Sequence, residues 1–183
     1  MKALAPFQQL LATSELPALG SVARAGVMSA ALMNARLDAL LGETKLTSTQ
    51  QALIRSLLLL WHDHLDASHE LSQGIENPDG SFVHAIMHRR EPDYWNAKHW
   101  WRRVGVHPAF PEIARRVSEL LKSSGVGALA AQLLPGGKWD ACAFVDACEQ
   151  AASSARHVDL LREIQRIETE VLLERFVSGG QSA

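Results

Sequence analysis

Residues 47–73 read TSTQQALIRSLLLLWHDHLDASHELSQ, and the fold turns on how this stretch is read. Thr47 stands three residues before Gln50, the spacing of a capping box, in which side chain and backbone at a helix start satisfy each other's free N–H groups. Behind it, Ile54, Leu57, Trp61 and Leu65 recur at steps of three and four, the period of a helix with one buried face. The spacing predicts one long helix from Thr47 to about Gln73, ending before a turn at Asn77-Pro78-Asp79-Gly80. Working outward, the same periodicity predicts helices over 4–13, 21–41, 112–123, 139–153 and 156–177. Two shorter ones are expected between them, one capped by Asp79 or Ser81 and running through Arg90, the other starting at Pro92-Asp93 and running through Arg103. Alternating β-branched runs are absent. The expectation is therefore all-α: a single-domain helical bundle of six to eight helices over residues 1–178, with a flexible tail at 179–183.

Composition narrows the function classes. The chain has 183 residues, 47% of them hydrophobic and 21% charged, with a formal net charge of −2. That is enough apolar residue to build a core, which excludes a disordered polymer. Near-neutral charge argues against a nucleic-acid partner, which a strongly basic face would announce. No apolar run reaches the roughly 18 residues of a membrane helix, and the apolar run at the N-terminus is broken by Pro6, Gln8 and Gln9, so neither a membrane partner nor a secretory leader is expected. Cys142 and Cys148 sit six apart on an expected helix, about 9 Å along its axis, too far for a disulfide. A cytoplasmic protein with reduced thiols is the expectation.

The unusual feature is local. Seven of the eight His (62, 64, 69, 84, 88, 99 and 107), four of the five Trp and the single Tyr fall within residues 61–107. On a continuous 47–73 helix, His62 and His69 share one flank to within about 20°, and His64 falls on the opposite flank. His84 and His88 stand at i, i+4, which places two imidazoles on one helix face and suits chelation of one metal ion. If the short helix folds back through the Asn77–Gly80 turn, His62, His69, His84 and His88 converge as metal ligands. Asp66 or Glu91 then completes the set or acts as catalytic base. Zn, Fe, Mn or Ni all suit such donors. The competing reading is that boundary histidines simply hydrogen-bond their neighbours.

A second cluster follows along Asp93–Arg103. Lys98, Arg102 and Arg103, with Asn96 and His107, have the chemistry to bind a small anionic substrate, because guanidinium offers a bidentate fork to carboxylate or phosphate. The plainer alternative is neutralisation of the arginine pairs by Asp63, Glu70, Glu91 or Asp93. Several catalytic patterns are excluded: His69-Glu70 lacks the second His of a zincin helix, no His precedes the His62-Asp63 dipeptide, and neither a phosphate loop nor a nucleophile elbow is present.

The blocks WHDHLDASH (61–69), DGSFVHAIMHRREPDY (79–94), NAKHW (96–100) and RVG (103–105) resemble a family of hypothetical microbial proteins with no established activity. The resemblance covers the central quarter of the chain and implies that 61–107 is the signature segment, without naming a reaction. Three functions fit these residues: a divalent-metal-dependent enzyme acting on a small anionic substrate; a metal-free module binding a carboxylate or phosphate; and a structural protein forming a homo-oligomer through its last helix.

Overall fold

The structure is a computed structural model that describes residues 4–179, and among these residues it is helical with no strand. The ten α-helices are α1 (Ala5–Gln9), α2 (Ala30–Gly42), α3 (Ser48–Trp61), α4 (Leu65–Gln73), α5 (Pro78–Arg90), α6 (Tyr94–Val104), α7 (Phe110–Ser124), α8 (Gly127–Leu133), α9 (Ala141–Ser154) and α10 (Val158–Val177). No helix among the described residues is long and apolar enough to cross a membrane. The expected loose tail lies mostly outside the described residues, which end at Gly179.

Apolar side chains from α1 to α10 meet in one buried cluster. Met33 and Leu37 of α2, Ile54 and Leu58 of α3, Phe82 and Val83 of α5, Ile113 of α7, Phe144 of α9 and Leu172 of α10 are all essentially solvent-free. Several starts follow their sequence signals. Thr47 and Gln50 form the reciprocal capping box of α3. Asp93 caps α6 by accepting from Asn96 N at 3.2 Å. Both cysteines are free.

Two more helices are found than the eight segments expected, for two reasons. The segment α8 follows a Gly125-Val126-Gly127 turn whose Gly125 ends α7 in the left-handed conformation (φ 67°). More consequentially, the expected 47–73 helix breaks at Asp63, which has φ 66°. A non-glycine residue there is strained, and Asp is among the few that tolerate it. The break is held by partners. Asp63 accepts from Arg24 N at 2.9 Å, Arg24 Nε at 2.8 Å and Arg90 Nη2 at 2.7 Å. A corner at 62–64 turns α4 away from the axis of α3, so angles computed for one straight helix do not apply beyond Trp61.

The same corner explains why the expected 21–41 helix begins only at Ala30. Residues 10–29 run as a largely irregular strap whose backbone groups are satisfied by side chains. Trp61 Nε1 donates to Leu11 O at 3.0 Å. His62 accepts from Met28 N at 3.1 Å through Nδ1 and donates to Leu10 O at 2.7 Å through Nε2. His64 Nε2 donates to Met28 O at 2.8 Å. Arg24 reaches Trp61 O, and Gln165 of α10 donates to Ala18 O at 3.2 Å. A segment so satisfied does not need helical hydrogen bonds.

Between α4 and α5 the chain turns tightly. Asn77, rather than Asp79 or Ser81, caps α5, accepting from Gly80 N at 2.8 Å, with Pro78 in the first turn where its missing N–H costs nothing. A Cβ on Gly80 would lie 2.2 Å from Ile75 O, so glycine is required for this approach. That turn folds α5 back over α4 and sets His69 opposite His84 and His88.

Candidate metal centre

His84 and His88 lie one turn apart on α5, and their Nε2 atoms are 2.9 Å apart. His69 of α4 comes from the other side, its ring centroid 4.7 Å from that of His84 and 5.3 Å from that of His88. The three rings each offer a nitrogen such that all three lie within 4.8 Å of one another. Three histidines are therefore close enough to hold a metal ion. His84 and His88 are buried and His69 is half-buried.

Hydrogen bonds assign the protons. Glu91 Oε2 lies 3.0 Å from His88 Nδ1, and a carboxylate can only accept, so Nδ1 carries the hydrogen and Nε2 holds the lone pair. His84 Nε2–H then donates to His88 Nε2, which leaves the lone pair at His84 Nδ1. That atom is buried and has no partner. Both rings are held neutral. Burial, followed by the proximity of His88, His69 and the charge of Arg103, pushes His84 down to about 3. Burial lowers His88 as well, against the pull of Glu91. Neutral imidazole is the form that binds metal.

The surroundings are built by α6. Trp100 stacks on His84 with centroids 3.9 Å apart and planes at 23°. Arg103 places its guanidinium carbon 4.8 Å from the Trp100 centroid. Asn96 Nδ2 lies 3.1 Å from His88 Nε2.

The remaining expected site residues divide. Of the four histidines expected to converge, His62 does not join: both its nitrogens are used on the strap, because the break at Asp63 rotates it away from His69. Asp66 is exposed and lines a cavity of about 560 Å³ with Ser21, His64 and Glu91; neither Asp66 nor Glu91 is part of the three-ring group. Glu91 instead anchors His88. Lys98 is spent on Asp146 of α9. His107 is buried, accepting from Ala109 N at 3.2 Å and donating to Asp79 at 2.9 Å, while Arg175 holds the same carboxylate. Arg102 and Arg103 are exposed and form no ion pair among the described residues.

The other arginine pair is interior. Arg90 is tied to Asp63 and donates to Leu60 O, and Arg89 pairs with Glu168 of α10 at 2.6 Å with both side chains fully buried. No periodic signal in the sequence marks Glu168 as that partner, since it lies 79 residues away. Trp100 was likewise visible only as one of a cluster of aromatics.

No family model, curated protein or solved structure matches this chain.

Proposed function

We propose that the protein is a divalent-metal-dependent enzyme whose ion is held by His69, His84 and His88 and whose substrate is a small anion. The observation that carries this reading is the convergence of three imidazoles, two of them buried, each with a nitrogen within 4.8 Å of the other two. Imidazole nitrogens gathered at that spacing from two helices are a donor set that one divalent ion can bridge.

The spacing supports it. Two nitrogens each about 2.1 Å from one ion lie about 3.0 Å apart at a right angle and about 3.4 Å apart at the tetrahedral angle, and the His84–His88 separation of 2.9 Å suits the former once the His84 hydrogen moves from Nε2 to Nδ1 and frees the Nε2 lone pair. His69, on the more open side, approaches by side-chain rotation. Glu91 behind His88 is the carboxylate–histidine pairing that orients a ligand and raises its basicity. Zn, Mn, Fe and Ni all accept such donors. Arg103, over the Trp100 ring and in no ion pair among the described residues, supplies the positive charge for an anionic substrate. The test is elemental analysis of protein purified without a His tag, with melting temperatures measured in added Zn, Mn, Fe or Ni. Stoichiometric metal and a raised melting temperature are expected; absence of both overturns the reading.

A further inference from the structure

A groove of about 770 Å³ lies between α7 and the turn at 135–139, and none of the three clustered histidines lines it. Its floor follows from the sequence of α7. Pro111, Ala114 and Ser118 recur at steps of three and four, the spacing of one helix stripe, and their side chains are too short to fill the space above them. Trp139, only 6% exposed, and the half-buried Phe110 add aromatic walls. Val106, 99% exposed, sets an apolar side chain in water at the edge.

The charge of the groove is one-sided. Lys122, one turn beyond Ser118 on the same stripe, and Lys138, beside Trp139, both line it, are exposed and form no ion pair among the described residues. The other charged residues of the lining, Arg115 and Glu119, neutralise each other at 2.7 Å. Two uncompensated ammonium groups thus border an apolar floor, in a chain whose formal net charge is −2.

We propose that this groove binds a free fatty acid of medium length, its chain along Ala114, Phe110 and Trp139 and its carboxylate at Lys122 and Lys138. The volume falls within the roughly 300–1,000 Å³ of small-molecule sites, which are mainly apolar with a few polar groups that fix orientation. From Pro111 to Lys122 the stripe rises about 16 Å, which gives a straight chain room to lie with its head at the lysine end. Burial of the chain supplies affinity, and the lysines select the head group. A small inorganic anion would leave the apolar floor in water, and a neutral chain would leave both ammonium groups unpaired. The proposal is independent of the metal centre.

The test uses the full chain and decanoate below its micelle concentration. In the ¹⁵N–¹H spectrum, the Trp139 indole N–H signal, assigned by its absence in Trp139→Phe, should shift on saturation with decanoate. Decanol and decyltrimethylammonium should bind about tenfold more weakly than decanoate, and Lys122→Ala with Lys138→Ala should remove that preference while leaving decanol binding unchanged. Both lysines are exposed, so the double variant keeps its fold. Ser118→Trp, which fills the groove, should abolish binding of all three. An unmoved Trp139 signal overturns the proposal, and so does equal binding of the three head groups. A Trp139 signal that moves with protein concentration alone shows the groove covered by a second copy of the chain, which also overturns it.

Discussion

His62 and His69, seven residues apart, face different parts of the molecule: His62 grips the strap through Leu10 and Met28, while His69 faces His84 and His88. The cause is the left-handed backbone of Asp63 between them.

Replacing these two histidines should therefore have opposite signatures. His69→Ala should abolish stabilisation by added metal and change the metal-free melting temperature little, because the ring is half-buried and makes no hydrogen bond among the described residues. His62→Ala should keep the metal response and destabilise the fold by about 1–3 kcal/mol, since it strands a buried carbonyl and a backbone N–H. Calorimetric melts of both variants, with and without metal, distinguish these outcomes.

Asp63 predicts an acid-labile corner. Burial alone would raise its carboxyl, but hydrogen bonds from Arg24 and Arg90 outweigh burial and hold it below the ordinary carboxylate range. A depressed folded value means that its contribution is fully present above the unfolded value of about 4 and is lost as pH falls through the folded one. Asp63→Asn should be destabilised at pH 7, and the gap from wild type should narrow below pH 4. Urea melts across pH 2–7 follow that gap, and a constant one would contradict the assignment. The variant should also become susceptible to proteolysis within residues 10–29.

Arg89 and Glu168 form an ion pair out of contact with water, and Arg89 also lies over Phe144 at 4.3 Å. Arg89 Nε, Arg89 Nη1 and Glu168 Oε1 have no partner. Removing one charge leaves the other buried and alone, so Arg89→Met or Glu168→Leu should each cost about 3–5 kcal/mol. The double variant, with apolar groups in both places, should recover most of that loss. Denaturant midpoints of the two singles and the double form the cycle that tests it, and additive losses would argue against the pair.

Gly80→Ala addresses the turn that brings α4 and α5 together. The added methyl meets the backbone oxygen of Ile75 as well as its side chain, and the backbone oxygen cannot swing aside, so α5 must shift. The expected loss is about 1–3 kcal/mol of stability, accompanied by weaker metal uptake as His69 separates from His84 and His88. A Gly80→Ala protein with wild-type stability and metal response would contradict this account.

Much was legible in the residues alone because local chemistry was decisive there. The helical period, the Thr47–Gln50 box, the Asp93 cap and the His84–His88 spacing all act within one or two turns, so sequence determined the helical class and one face of the candidate site. What sequence left open depends on partners remote along the chain. Arg24 and Arg90 hold Asp63 in a conformation that local preference disfavours, and that bend removed His62 from the cluster. Glu168, from the last helix, answered the charge of Arg89. Asn96, Trp100 and Arg103 reached His84 and His88 only because α6 packs against α5. Periodicity reports the face on which a side chain sits; only the packed structure decides what that face meets, because burial makes the remote hydrogen bonds and ion pairs strong enough to override the local helix.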